Sequence, residues 1–151
     1  MRDSFANAVA ITASIARPFE GLRLRPYLCP AGVPTIGYGA TFYEDGAHVT
    51  LFDAPITKER AEALLLWHIE KRFLPAVLKL CPVELTGGQL AALTDFAFNL
   101  GAGNLKASTM RRFVIAGEWE KVPNELRKWV RGGGKVLGGL VKRRESEIAI
   151  L

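Results

Sequence analysis

The densest cluster of unusual residues runs from Glu20 to Gly39, EGLRLRPYLCPAGVPTIGYG. Glu20 comes just after Arg17-Pro18 and just before Gly21, so its carboxyl is expected at a boundary between elements. An acid in such a place can hand a proton to a leaving oxygen, and an apolar neighbour such as Phe19 would favour its protonated form. Cys29 offers different chemistry. Its neutral thiol is a poor base, but the thiolate is a strong nucleophile, and a nearby cation such as Arg25 would favour it. Read alone, Cys29 can attack carbon, position a water, or fill a small apolar space. The other cysteine, Cys81, sits between Leu80 and Pro82 with no motif around it and reads as core. His48 and His68 fall in different kinds of segment, which argues against a metal site or a histidine-based triad. No metal and no cofactor is expected.

These residues need elements to hold them. From about 4 to 16 the pattern is helical, and Arg17-Pro18 is expected to end it, because the proline ring disfavours helix in the residue before it. Between Pro26 and Pro55 the chain is rich in Gly, Pro, Thr, Tyr and Val and reads as short strands, with Glu44-Asp45-Gly46 as one hairpin turn. Thr57 is a helix N-cap, and Ala61, Leu64, Leu65, Ile69, Phe73, Val77 and Leu80 recur with helical spacing over 58–80. One long helix is expected there, kinked or interrupted near Pro75. Thr86-Gly87-Gly88-Gln89 has capping-box spacing and opens a helix that runs to Leu100 and closes at Gly101. Ser108 or Ala107 opens a short helix ending at Gly117. Glu118 to Val130 forms another, with Trp119, Val122, Leu126 and Trp129 inward, and a Gly-rich loop over 132–139 precedes a basic helix from Leu140.

The fold expected from this order is α+β and mainly helical. A small N-terminal antiparallel sheet lobe (about 17–57) is joined by a long helix (about 58–80) to a helical C-terminal lobe (about 83–151), with helix 4–16 packed on the latter. The whole chain, 1–151, reads as one domain, since its length is close to the usual one-domain size of roughly 100–150 residues.

Composition narrows the class further. Apolar residues make up 49% and charged residues 23%, as in a packed globular protein. Two cysteines are too few for a disulfide scaffold. The run from Phe5 to Ala16 is shorter than the roughly 20 apolar residues a spanning helix needs, and no basic, greasy export signal precedes it. Synthesis and accumulation in a cytoplasm, without stable membrane insertion, are expected. The net charge of +5 is uneven, because residues 106–151 hold 11 Lys/Arg against 5 Asp/Glu. A basic surface there would attract polyanions, although a solvated helix face would look the same.

The cluster around Glu20 resembles the signature of the phage-type lysozymes, glycoside hydrolase family 24: Glu-Gly, then after a gap an Asp or Cys, then Thr-Ile-Gly-Tyr-Gly. Asp95-Phe96-Ala97-Phe98-Asn99-Leu100-Gly101, Ser108-Thr109-Met110 and the stretch from Trp129 to Arg144 resemble the helical lobe of the same family. The resemblance covers about residues 14–150. It implies a lysozyme-like fold and a muramidase that cuts the peptidoglycan glycan strand as a monomer, acting on the wall after the host membrane is permeabilised. Glycoside hydrolysis needs an acid for the leaving oxygen and a second group across the sugar. Glu20 fits the first, Cys29 stands where other members carry Asp, and Thr35 is the third member the resemblance supplies, able to hold a water. Gly37 and Gly39 would let backbone approach saccharide, Tyr38 is either core or a sugar platform, and Phe98 and Asn99 resemble cleft walls. An arginine in the region of the cationic group Lys142-Arg143-Arg144 would pair with Glu20 across the cleft.

Competing functions are a lytic transglycosylase, in which one Glu acts alone, and an inactive wall-binding module. The additional Cys29 and Thr35 weigh against the first, and the intact Glu20 and Thr35 against the second. Nucleic-acid binding would rest on the basic tail alone, with no recognised motif, and is not expected.

Overall fold

The computed structural model describes residues 2–151, with side chains from Ser4 onward. Helix α1 (Arg2–Glu20) turns the small residues Ala8, Thr12, Ala13 and Ala16 inward, which lets it lie against α4 (Gly87–Leu100). Ala8 joins the core of the C-terminal lobe, while Ala13 and Ala16 join a second cluster with Tyr38, Ala61, Leu65 and Ile69. One helix therefore touches both lobes and ends on Glu20. It does not stop at Arg17-Pro18 as expected. Ser14, whose carbonyl loses its bond to the donorless Pro18, is exposed and can turn to water. The stop is Gly21, whose φ of 71° lies in the left-handed region and whose N–H reaches the Arg17 carbonyl at 3.0 Å.

Strands β1 (Arg23–Leu28) and β2 (Pro34–Gly37) pair antiparallel, with Tyr27 opposite Thr35 and Arg23 opposite Gly37. The register slips between these pairs, around Pro26, which has no N–H to give the ladder. In that bulge the Leu24 carbonyl accepts from Ile56 N–H at 2.9 Å, tying the sheet to the chain that enters α2 (Lys58–Trp67). The Glu44-Asp45-Gly46 turn is present, closed by Tyr43 N–H on the Ala47 carbonyl at 2.9 Å. Ile36, Ala40, Val49 and Leu64 form the small core beneath.

Thr57 caps α2 as expected, its hydroxyl accepting from Arg60 N–H at 3.0 Å. The interruption expected at Pro75 lies just ahead of it. Residues His68–Phe73 form a π-helical segment before α3 (Leu74–Leu80), and Leu74 N–H bonds back to the Ile69 carbonyl. The hydrogen-bond ladder has thus already shifted when it meets the residue without a donor, and the long helix survives with a widened turn instead of a break.

The capping box is formed in both directions, Thr86 Oγ1 with Gln89 N–H and Gln89 Oε1 with Thr86 N–H, each at 3.0 Å. From Leu90 to Ala97 α4 is buried on every side, and each large apolar side chain there contributes about 2 kcal/mol. Gly88 is required for packing, since a Cβ there would lie 2.0 Å from the Ile150 carbonyl oxygen. Beyond Gly101 the chain forms α5 (Ala102–Ala107), an element the low helix propensity of Gly103 and Asn104 conceals. Ser108 caps α6 (Thr109–Ala116), which ends at Gly117. The single helix expected over Glu118–Val130 is instead a 3-10 turn, Trp119–Lys121, and a short α7 (Val122–Leu126) restarted at Pro123; Val122 and Leu126 are buried and both tryptophans half-buried, as their spacing implied.

The expected Gly-rich loop is a hairpin. β3 (Arg131–Gly132) and β4 (Lys135–Val136) turn at Gly133-Gly134, both with positive φ, the backbone a tight two-residue hairpin needs. α8 (Gly138–Ile148) follows, starting before Leu140. Among the described residues no helix is long and apolar enough to cross a membrane.

Candidate active site

The end of α1, the sheet lobe, the π-helical segment and the end of α4 enclose a cleft of about 320 Å³. Glu20, Tyr38, Gly39, Thr41 and Phe42 line one side, His68, Arg72 and Phe73 come from the linking helix, and Phe98 and Asn99 from α4. Of the residues singled out in the sequence, Glu20, Tyr38, Phe98 and Asn99 therefore meet in one cavity. Gly39 is the closest approach: a Cβ there would sit 2.6 Å from Glu20 Oε2, and its φ of 81° is unfavourable for any other residue. Gly37 is placed otherwise. It is buried against Ala61 and Ile56, so its missing side chain serves packing inside the sheet lobe.

A buried charge relay fixes the acid. Glu20 Oε1 accepts from Arg143 Nη1 at 2.7 Å, and Arg143 Nε and Nη2 donate to the two oxygens of Asp95 at 2.9 and 2.8 Å. Arg143 is thus the cation that pairs with Glu20, and its guanidinium, rather than an apolar wall, holds one carboxyl oxygen. Burial works against the Arg143 charge, but the Asp95 and Glu20 carboxylates more than offset it and hold its pKa above the ordinary arginine value. The next residue repeats the device. Arg144 donates to Asn99 Oδ1 at 2.8 Å and to Glu147 Oε2 at 3.0 Å. Two consecutive arginines of α8 thus each hold one cleft residue and each rest on a buried carboxylate. Burial, then the neighbouring Asp95, push the Glu147 carboxyl well above the usual range, with Arg144 pulling the other way.

Cys29 and Thr35 lie on the sheet lobe and are not among the residues lining this cavity. Cys29 opens a tight turn, with its N–H on the Val33 carbonyl at 3.0 Å and Gly32 N–H on its own carbonyl at 2.8 Å. The thiol pKa is lowered, first by the backbone amide of Val33 and further by that of Ala31, while desolvation, the second-largest influence, pulls the other way. Arg25 is not among the causes; backbone dipoles take the part expected of a cation. Thr35 is buried and donates its hydroxyl proton to the Val33 carbonyl at 2.8 Å, so it braces the turn that presents the thiol. Tyr27 connects the two regions: burial raises its pKa, Arg23 lowers it, and both Glu20 and Cys29 add to the rise. Cys81 is fully buried in the C-terminal core.

Sequence reasoning missed the place of His68 and Arg72 in the cleft and the role of Asp95, and it left open which arginine pairs with Glu20. His68 is buried, with Nε2 2.9 Å from the Phe42 carbonyl, and burial lowers its pKa. Arg72 stacks over the Phe42 ring, Cζ 4.1 Å from its centroid. Asp95 did carry a signal, being the single charged residue of a mostly apolar helix, which demands a buried partner.

Comparison with known proteins agrees with this geometry. Residues 17–147 match the family described as phage lysozyme. The chain is 42% identical over 139 residues to an endolysin of Bacillus phage B103, covering 89% of this chain and 49% of that protein, so it spans about half the length of this relative. Among solved structures it is similar to an endolysin from Escherichia coli O157:H7 phage FAHEc1, with a TM-score of 0.80 at 32% identity over 95% of this chain and 89% of that one. It is also similar to the muramidase domain of SpmX from Asticaccaulis excentricus, with a TM-score of 0.74 at 33% identity over 95% and 92% of the two chains. The mainly helical fold with its small antiparallel sheet, the cleft with a glutamate at its edge and these matches agree: the chain belongs to the phage lysozyme family.

Proposed function

We propose that this protein is a muramidase of the endolysin type, hydrolysing the β-1,4 bond between N-acetylmuramic acid and N-acetylglucosamine in peptidoglycan and so lysing a bacterial host. The observation that carries the reading is Glu20, a carboxyl at an interlobe cleft with Oε1 fixed by Arg143 and Oε2 turned toward Gly39. A sugar chain laid along the cleft would present its bridging oxygen to Oε2, which donates the proton as the bond breaks. Names of similar proteins, endolysin and muramidase domain, support the same chemistry.

Cys29 is the second group of this reading. Its thiolate attacks the anomeric carbon as the protonated oxygen leaves, giving a glycosyl-cysteine; water deprotonated by Glu20 then displaces the sulfur and restores the thiolate. Thr35 positions the thiol through the Val33 turn. Tyr38, Phe98 and Asn99 contact sugar, and Gly37 ends the strand that leads into Tyr38 at the cleft. We take the enzyme to work as a monomer and a single domain, without cofactor, reaching the wall from the host cytoplasm once the membrane has been permeabilised.

The deciding experiment is lysis of permeabilised Gram-negative cells, read as loss of turbidity, by the native chain and by Glu20→Gln. The amide keeps the shape but cannot donate the proton, so nearly all activity should vanish in a folded protein; near-normal lysis would refute the assignment. Mass spectrometry of the products separates hydrolysis, which adds water at the muramic acid end, from the anhydro product of a transglycosylase. For Cys29, NMR of product from a defined oligosaccharide should show retained configuration, Cys29→Ser should lose most activity, and Cys29→Asp should recover part of it. Inversion by the native enzyme rules out the covalent route.

A further inference from the structure

The cleft holds three ionisable side chains besides Tyr38, and two of them are spoken for. Glu20 is matched by Arg143. His68 is buried on the Phe42 carbonyl, and burial disfavours its charged form. Arg72 is different: it is exposed, lines the cleft, and forms no ion pair or hydrogen bond among the described residues. Its guanidinium face is covered instead, lying 4.1 Å from the Phe42 ring centroid and 5.3 Å from that of Phe73. A guanidinium stacked on aromatic rings keeps its in-plane N–H groups free, and that planar fork matches a carboxylate. His68 and Arg72, four residues apart, share one face of the helix, and the wider turn of the π-helical segment lets Phe73 line the cleft with them.

We infer that Arg72 is a specificity-determining residue of the cleft, binding a carboxylate on the lactyl-peptide arm of the muramic acid residue. The inference rests on the muramidase reading, because N-acetylglucosamine carries no charge and the acidic groups of peptidoglycan sit on that arm. The cleft thereby recognises which sugar bears the arm, and sets the register of the alternating strand against Glu20.

The test uses one wall preparation before and after carbodiimide amidation of its carboxylates, with the native chain, Arg72→Gln and Lys79→Gln. Lys79, exposed on α3 and not among the residues lining the cleft, controls for loss of one positive charge. On native walls Arg72→Gln should raise KM about tenfold, as expected for one charge-assisted contact, with kcat nearly unchanged. Amidation should raise KM for the native chain and for Lys79→Gln about tenfold more than for Arg72→Gln, whose KM should rise only by the loss of general attraction that all three share. An Arg72→Gln variant that still prefers unamidated walls as strongly as the native chain overturns the inference, as does a fall in kcat/KM equal on both walls, the mark of a merely structural arginine. Failure of the native chain to cut either wall removes the muramidase reading itself.

Discussion

Replacing Asp95 with Asn should destabilise the protein more than replacing the acid Glu20 with Gln. Asp95 is fully buried and gives both oxygens to Arg143, whose side chain is only 4% exposed. Asn keeps one acceptor but removes the charge and turns an amide N–H₂ toward the guanidinium. Breaking a buried pair from one side costs about 3–5 kcal/mol, and the retained acceptor places this case near 3. At roughly 2–4 °C per kcal/mol for a chain of this size, the melting temperature should drop by about 6–12 °C. Glu20→Gln leaves the Asp95 pair intact at a side chain 22% exposed, so its effect should stay within about 1 kcal/mol. Urea unfolding of both variants at constant m reads the difference directly. If Asp95→Asn proves no less stable than Glu20→Gln, the charge relay does not anchor Arg143 and the account of how Glu20 is held is wrong.

Two further expectations concern solution conditions. Lys106, Arg112, Arg131, Lys135 and Lys142 are exposed without a carboxylate partner among the described residues, so raising salt should slow cleavage of whole walls more than that of short neutral oligosaccharides. Equal sensitivity would remove electrostatic steering. Burial holds His68 below its usual pKa near 6.5, so just below that pH the unfolded chain binds more protons and stability falls on acidification. His68→Gln should flatten that part of a stability-versus-pH curve, and an unchanged slope would assign it to other groups.

Local signals were legible in the sequence wherever a few neighbouring residues decide the structure. The caps at Thr57, Thr86 and Ser108, the stop at Gly101, the turn at Glu44-Asp45-Gly46 and the inward stripe of the linking helix are all set by residues within a turn of one another. The expectation failed where a local rule met a tertiary force. Pro18 was overridden by the packing of α1 on α4, and Gly133-Gly134 made a hairpin where composition suggested a loop, whereas the interruption expected near Pro75 is present as a π-turn.

The site divides the same way. Glu20 and Cys29 stand out by residue type in one short segment, while Thr35 entered only through the family resemblance. Which cation holds Glu20, that backbone dipoles rather than Arg25 favour the Cys29 thiolate, and that His68 and Arg72 face the cleft were decided only in three dimensions. The reason is that a side chain's charge and reactivity depend on what lies within a few ångströms of it, and Arg143 reaches Glu20 across 123 positions of sequence. No periodicity encodes that distance; it follows from α1, α4 and α8 packing together around the buried Asp95.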